Sequence, residues 1–306
     1  MAVINLKDVQ SKAYARLQHA VGQETGQASN PRNNISVRTR IYSLDFALGG
    51  GIPAGLNEIY GEESVGKTAL IARILHAAQA QNKDTMLVPS EQCELEYLRA
   101  LGVDLDSLLL TRGRDPRITL MAASDFVSDG PNRVLVIDSL TGLIGSLEAR
   151  EWNNVVFDFI QRTADYMETT SSVIVVSQVR TRRSVQTNEA IQGVVSASRR
   201  FADLFTVRLA FSREEVSDET FEMVINVEAN LYAPPATIVR LPVIKGQGIQ
   251  TDVDAIRVAL SCGHLYRVGS WYRTQRGEQF GPGIKTAAQQ FEESGAYKEL
   301  EKLIYG

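Results

Sequence analysis

The sequence has few of the residues that build metal sites and disulfide frameworks. Its 306 residues include two cysteines, Cys93 and Cys262, and three histidines. Neither cysteine has the spacing of a metal-ligand pair, and the scattered histidines argue against a zinc site. So few cysteines fit a reducing, cytoplasmic compartment. The composition therefore excludes a disulfide scaffold and points away from a zinc protein.

Long apolar runs and an excess of positive charge are also missing. No stretch approaches the roughly 18 uninterrupted apolar residues of a membrane span. The N-terminus lacks the apolar central run of a signal peptide, so we expect no association with a membrane. Lys and Arg number 32 against 36 Asp and Glu, a net charge of −4. A nucleic-acid site must therefore be a local basic stripe.

What the chain does have is the composition of a globular protein, with 44% hydrophobic and 22% charged residues. From about residue 36, short apolar β-branched runs alternate with helical stretches. This alternation predicts an α/β fold with a parallel sheet that is covered on both faces. Later runs with fewer helices between them predict antiparallel strands that extend the sheet, at residues 206–211, 221–228 and 237–243.

The two ends of the chain depart from this pattern. Apolar residues recur at helical spacing between residues 5 and 22, and such an amphipathic helix needs its own core or a neighbouring subunit to cover it. Near residue 256 a turn-rich segment and two further helices begin. We therefore predict an N-terminal oligomerisation helix and linker at 1–35, a core at 36–254 and a small C-terminal domain at 255–306.

The strongest motif is a phosphate-binding loop (P-loop) of the form G-x-x-x-x-G-K-[ST]. It follows a predicted strand and opens a predicted helix, the context in which backbone N–H groups wrap phosphate oxygens. Lys67 then contacts the β- and γ-phosphates of ATP, and Thr68 binds Mg²⁺. A chance match in a glycine-rich loop is the alternative. The residues expected at the nucleotide are Gly61, Glu62, Ser64, Val65, Gly66, Lys67, Thr68 and Ala69.

Three polar residues stand at the ends of predicted strands. Asp138 ends an apolar strand and predicts a second Mg²⁺ ligand, with a strand-end cap as the alternative. Glu91 follows another strand, at the edge where open α/β sheets bind ligands, and either orients water or is a solvated loop acid. Gln178 ends a third strand, where an amide can contact a γ-phosphate or cap the strand.

A basic stripe follows Gln178. The segment from residue 179 to 200 contains five arginines and one acid. Its small polar residues, Gly193 among them, predict a loop that orders on a partner. Arginines neutralise DNA phosphates by releasing counterions, so we predict a DNA-binding loop, with a solvated surface loop as the alternative. The arginines are Arg180, Arg182, Arg183, Arg199 and Arg200.

These motifs together resemble those of the bacterial RecA recombinase family. The similar segments are LDFALGGGIPAGLNEIYGEESVGKTAL, PSEQCELEYLRALGVDLDSLLL, RVLVIDSL, VIVVSQVR and GSWYRTQRGEQFGPG. The resemblance implies a RecA-type P-loop ATPase core with an N-terminal helix and a small C-terminal α/β lobe. It also implies a DNA-dependent ATPase that uses ATP and Mg²⁺, forms a helical filament on single-stranded DNA and exchanges strands with a homologous double-stranded DNA. Single-strand-binding and loader proteins are its implied partners.

The resemblance also implies roles for individual residues. Glu91 matches the water-activating glutamate, Asp138 the second metal-side acid and Gln178 the γ-phosphate sensor, so the implied catalytic residues are Glu91, Lys67 and Gln178. Tyr97 matches the tyrosine that stacks on adenine. The segment with Lys245 and Gly246 matches one that caps a neighbour's nucleotide.

The chain departs from the family at two positions. The family carries two lysines that reach a neighbouring subunit's ATP, and here Glu228 and Asn230 stand in their places. We expect compensation by Lys245, or by a monovalent cation held partly by Glu228, or else slow hydrolysis. Two other functions therefore stay open: a nucleotide-gated DNA-binding scaffold with little hydrolysis, and a ring-forming RecA-fold helicase.

Overall fold

The computed structural model describes residues 35–89, 95–111, 113, 115–143, 149–183, 190–194, 201–233 and 237–305. For residues 141, 149–150, 179–183 and 190–194 it describes the backbone alone. The expected N-terminal helix, Glu91, Arg199 and Arg200 lie outside the described residues.

The described chain alternates strands and helices up to β7. The strands are β1 (Ile35–Val37), β2 (Ile52–Pro53), β3 (Gly55–Gly61), β4 (Asp84–Pro89), β5 (Leu108–Leu110), β6 (Arg133–Asp138), β7 (Ser172–Arg183), β8 (Ala190–Val194), β9 (Val207–Glu215), β10 (Thr220–Asn230), β11 (Thr237–Ile244), β12 (Gly248–Ile249), β13 (Leu265–Val268), β14 (Trp271–Thr274) and β15 (Gln279–Phe280). The α-helices are α1 (Tyr42–Ala47), α2 (Lys67–Ala80), α3 (Leu95–Ala100), α4 (Pro116–Ser128), α5 (Leu140–Leu143), α6 (Ala149–Tyr166), α7 (Thr251–Ser261), α8 (Ile284–Glu293) and α9 (Tyr297–Tyr305).

A large, mostly parallel sheet forms the centre of the molecule, in the order β12-β11-β10-β9-β3-β7-β6-β4-β5. The strands from β9 to β5 are parallel to one another. Strands β10, β11 and β12 continue the sheet with antiparallel pairing. The α/β class, the parallel core and its antiparallel extension are therefore confirmed.

Both faces of the sheet are buried at its centre, where successive side chains of a strand point into two different cores. In β6, Val134 and Val136 join a core with helix α2, whereas Leu135 and Ile137 join a second core with helices α4 and α6. All four side chains are fully buried. Each contributes about 1.5–3 kcal/mol by leaving water, which explains why the strand is apolar up to Asp138.

The C-terminal residues pack as a small sheet, β13-β14-β15, with helices α7, α8 and α9. Helix α9 is joined to the start of the core by Tyr305, whose hydroxyl donates to the buried carboxylate of Asp45 at 2.6 Å. Burial raises the pKa of Asp45 to about 6. Helix α7 runs through the expected boundary at residues 254–255, and the three-unit division stays a prediction.

Strand β7 is longer than the sequence pattern suggests. The expected strand ends at residue 177, whereas β7 continues to Arg183 and pairs with β8 in an antiparallel hairpin. The stretch Val179–Arg183 has two β-branched residues, Val179 and Thr181, and β8 supplies Ile191 and Val194 opposite the stretch, so both suit a ladder. None of the described helices is long and apolar enough to cross a membrane.

Candidate functional site

The carboxyl ends of four neighbouring parallel strands form one edge of the sheet. In the strand register, Gly61 of β3 pairs with Gln178 of β7, and Asp138 of β6 pairs with Pro89 of β4. Strands β6 and β7 are themselves neighbours. The P-loop, the expected metal-side acid and the expected γ-phosphate sensor therefore meet at the edge where parallel α/β sheets bind ligands. The described range that contains β4 ends at Pro89, two residues before Glu91.

The P-loop approaches its neighbours too closely to accept side chains at its glycines. A Cβ atom at Gly61 would lie 2.5 Å from the Phe211 carbonyl oxygen. Gly66 has a φ of 95°, and a Cβ atom there would lie 2.5 Å from the Met223 methyl carbon. Both positions need glycine, so the motif's two glycines have structural reasons that are independent of any ligand.

Lys67 is buried at the first turn of α2 and is held by its own loop. Its Nζ donates to the Gly61 carbonyl at 3.0 Å and also to the Glu62 carbonyl. Burial lowers the pKa of Lys67, an effect that Asp138 and the loop glutamates partly offset. A phosphate bound in the loop would supply a stronger, charged acceptor for this ammonium group.

Asp138 and Thr68 provide oxygen donors of the kind that Mg²⁺ prefers. Burial raises the pKa of Asp138, and the nearby Lys67 partly lowers it again. The Thr68 side chain is exposed at the start of α2. In the described part of the chain no cluster of three or more His, Cys, Asp or Glu could hold a metal ion. A cation at this edge would therefore depend on phosphate oxygens and water as well, as Mg²⁺ commonly does.

Tyr97 and the Lys245–Gly246 turn lie on the same side of the molecule. Tyr97 lies in α3, which is followed by Leu101, and a Cβ atom at Gly248 would lie 2.7 Å from a Leu101 methyl carbon. Lys245 is exposed, and its Nζ donates to the Asp218 carbonyl at 2.6 Å. The turn after β11 is thus at the P-loop end of the sheet.

The expected DNA-binding arginines continue the strand that carries Gln178. Arg180 pairs with Gly193, Arg182 with Ile191 and Arg183 with Ala190. Residues 180 and 182 share one face of the strand, because side chains alternate along it. This part of the expected loop is a β-hairpin whose pairing begins at Val179, the residue after Gln178.

Asn230 lies towards the opposite end of the sheet, whereas Glu228 lies beside the middle of β3, between the positions level with Glu58 and Ile59. Asn230 pairs with Val207 of β9, and Val207 pairs with Asn57 near the start of β3. Glu228 lies 3.5 Å from an Arg208 nitrogen. Burial, together with the nearby Glu228, raises the pKa of Tyr60. A cation bound at Glu228 would therefore compete with an arginine already in place.

Asn230 is held within its own loop. Its side-chain oxygen accepts a hydrogen bond from the Tyr232 backbone N–H at 2.9 Å. Its Nδ2 atom is buried and has no hydrogen-bond partner among the residues that the structure describes.

Two arginines of β9 belong to these two ends and carry no sequence motif. Arg208 donates to the buried Glu58 at 2.9 Å, and Ser177, next to Gln178, also donates to Glu58, at 3.2 Å. Arg213 donates to the Ser64 carbonyl of the P-loop at 2.9 Å. The only feature of the sequence that could have indicated these arginines is that strand β9 has charged residues at both of its ends.

The chain is similar to a known protein family and to individual members of it. The family model described as RecA N-terminal domain matches residues 12–250, well over half of the chain. The protein RecA of Mycolicibacterium smegmatis is 30% identical over 297 residues, which cover 89% of this chain and 83% of the relative. RecA of Streptomyces coelicolor is 27% identical over 317 residues, covering 95% and 83%. RecA of Nostoc punctiforme is 26% identical over 332 residues, covering 99% and 91%.

Proposed function

Because this chain belongs to the RecA family, we propose that it is an ATP-dependent recombinase that forms a helical filament on single-stranded DNA and pairs it with a homologous duplex. The family is one of nucleotide-binding ATPases that act in DNA recombination and repair. The ATP-dependent filament and the strand exchange are the finer steps that we infer for this chain.

One observation carries the proposal: the P-loop, Asp138 and Gln178 stand together at one edge of the sheet, and the strand that holds Gln178 runs on into the arginines. A γ-phosphate that contacts Gln178 would be linked to the basic hairpin by continuous β-strand, since the hairpin begins at the next residue, Val179. Nucleotide state can then bias DNA affinity through one short, rigid element.

The chain's own residues divide the work of the reaction. The P-loop backbone and Lys67 would bind the phosphates, while Thr68 and Asp138 would hold Mg²⁺, which neutralises charge on the transferred phosphoryl group. Tyr97 would stack on the base, with the Lys245–Gly246 turn beside it. Glu91 would take a proton from the attacking water, and Gln178 would report whether the γ-phosphate is present.

A D-loop assay tests this function directly. The protein, ATP, a single-stranded oligonucleotide and a supercoiled plasmid are mixed, with a heterologous oligonucleotide as the matched control. We expect joint molecules only with ATP and only with the homologous strand. DNA binding without joint molecules would contradict recombinase function.

A second candidate, a nucleotide-gated DNA-binding scaffold with little hydrolysis, is favoured by the state of Glu228 and Asn230. Both side chains are engaged within their own subunit, and neither is a cation. Phosphate release on single-stranded DNA separates the two functions, because a scaffold would release almost none while still binding DNA only with ATP.

A further inference from the structure

Arg213 connects the β9–β10 hairpin to the P-loop. Strand β9 pairs with β3 up to Phe211, opposite Gly61, and then extends beyond the sheet edge to Arg213. There the Arg213 Nη1 donates to the Ser64 carbonyl oxygen at 2.9 Å. Its guanidinium lies 4.1 Å from the centre of the Phe221 ring, and Nη2 contacts a Glu215 oxygen at 2.5 Å. The side chain is 20% exposed.

The same hairpin touches the P-loop a second time, at Gly66. The Met223 methyl carbon and the Phe221 ring lie where a Cβ atom of Gly66 would be, at 2.5 and 3.5 Å. The hairpin therefore contacts the residues on both sides of Val65, and the Phe221 ring lies near both the Arg213 guanidinium and Gly66.

The geometry of the peptide bond gives this contact a consequence for phosphate binding. A trans peptide is planar, so the Ser64 carbonyl and the Val65 N–H point in opposite directions. A hydrogen bond that draws the carbonyl towards the hairpin turns the Val65 N–H away from the hairpin. Ser64 has a φ of 59°, which is uncommon for serine, so its conformation requires contacts that hold it.

The contact between Arg213 and the P-loop leaves part of the arginine without a hydrogen bond. The Arg213 Nε is buried and has no hydrogen-bond partner among the described residues. A buried donor without a partner destabilises the folded state, so stability alone does not explain an arginine at this position. The loop also carries two acids, Glu62 and Glu63, which disfavour a polyphosphate, and a cation behind Ser64 opposes their charge.

We propose that Arg213 is a positioning residue of the nucleotide site: it orients the Ser64–Val65 peptide so that the Val65 N–H donates to a phosphate oxygen. Its positive charge also polarises that peptide and strengthens the donor. The inference rests on the proposed binding of ATP in the P-loop. It concerns phosphates that ATP and ADP share, so it differs from the role of Gln178, which concerns the γ-phosphate alone.

The experiment compares Arg213→Met, which keeps the length of the side chain but removes its charge and donors, with Arg213→Lys. Arg240→Met is the matched control, because Arg240 of β11 pairs with Glu214 of the same hairpin at 2.5 Å and is half exposed. Dissociation constants for ATP and ADP with Mg²⁺ are measured on the full-length protein without DNA. Melting temperatures are measured with and without nucleotide.

We expect Arg213→Met to weaken ATP and ADP equally, by about 10-fold, the equivalent of one net charge-assisted hydrogen bond. Arg213→Lys should recover part of that loss, and Arg240→Met should change neither constant by more than about twofold on the same scale. The nucleotide-induced rise in melting temperature should shrink in Arg213→Met alone.

Four results would overturn the inference. Unchanged affinity in Arg213→Met would show that the contact does not matter for binding. A loss for ATP without a loss for ADP would move the role to the γ-phosphate. A fall in the nucleotide-free melting temperature, with no recovery by lysine, would make Arg213 a purely structural residue. A wild-type protein that binds no ATP would remove the proposed function itself, which the first three results leave intact.

Discussion

The two ends of strand β9 hold arginines in opposite surroundings. Arg213, at the P-loop end, contacts one exposed carboxylate and gives another N–H group to the phosphate loop. Arg208, at the far end, lies between Glu58 and Glu228 and is outnumbered by their carboxylates. The positive charge of Arg213 therefore lies at the P-loop, whereas the charge of Arg208 is neutralised by two glutamates.

This difference indicates where the charge for phosphate chemistry comes from. The P-loop end has Lys67 and Arg213 from its own subunit. The far end, where the related family presents lysines to a neighbour's ATP, presents a glutamate that is already paired and an asparagine. In the proposed filament, binding of ATP would depend on a single subunit, and hydrolysis would lack the neighbour's cations.

The largest expected effect is at Glu91, which the sequence predicts at the P-loop end. Glu91→Gln should leave ATP binding intact and slow hydrolysis by roughly 10²–10⁴-fold, because an amide cannot accept the proton of the attacking water. Phosphate release and nucleotide affinity are measured on the same preparation. A small change in rate would make Glu91 an ordinary loop acid.

Lys67→Ala should abolish nucleotide-dependent DNA binding. Lys67 is the cation nearest the expected phosphates, and a loss of two charge-assisted hydrogen bonds corresponds to about 100-fold or more in affinity. Filter binding of single-stranded DNA with and without ATP measures the effect. If ATP still stimulates DNA binding in this variant, the P-loop end does not control DNA affinity.

Of the two acids that contact Arg208, the buried one should tolerate substitution less well than the exposed one. Glu58 is 1% exposed, so Glu58→Gln should cost about 3 kcal/mol by breaking a buried pair. Glu228 is 36% exposed, so Glu228→Gln should cost less than about 1 kcal/mol. Urea unfolding measures both. Equal losses would mean that Glu228 is a structural member of the buried network.

The smallest expected effect concerns the basic hairpin. Removal of Arg180, Arg182 and Arg183 together should reduce the log–log salt slope of single-stranded DNA binding by about 0.7 for each DNA phosphate that is no longer neutralised. The reduction should be similar on unrelated sequences, because arginines that bind phosphates read no base information. Arg240→Ala serves as the control. An unchanged salt slope would mean that the hairpin arginines do not contact DNA phosphates.

The P-loop end was largely predictable from the sequence. Its motif is local, and apolar strands that end in Asp138 and Gln178 predict a common edge, because parallel strands share their carboxyl ends. The extension of β7 to Arg183 was not predictable from hydrophobic pattern, since Val179 is the only apolar residue among residues 179–183. The extension forms because β8 pairs with it, and a hydrophobic pattern within one strand does not reveal its partner.

The charge arrangement of β9 was not predictable, because it depends on contacts distant in sequence. Arg213 is 149 residues from Ser64, and Arg208 is 150 residues from Glu58. A charged residue near a strand end usually belongs to the solvated surface. A cation held partly by Glu228 was one of the alternatives that the sequence left open, and the structure gives Glu228 an arginine, Arg208, as a partner. The role of Lys245 stays a prediction.

The most direct test of this account restores the missing charges at the far end. Phosphate release on single-stranded DNA is compared between the wild-type protein and a double variant, Glu228→Lys with Asn230→Lys, once both show the same melting temperature. We expect turnover about 10-fold higher or more in the double variant, because the two added lysines would stabilise charge in the transition state. The ATP dissociation constant in the absence of DNA should stay unchanged. Unchanged turnover in the folded variant, or a faster rate without DNA, would contradict it.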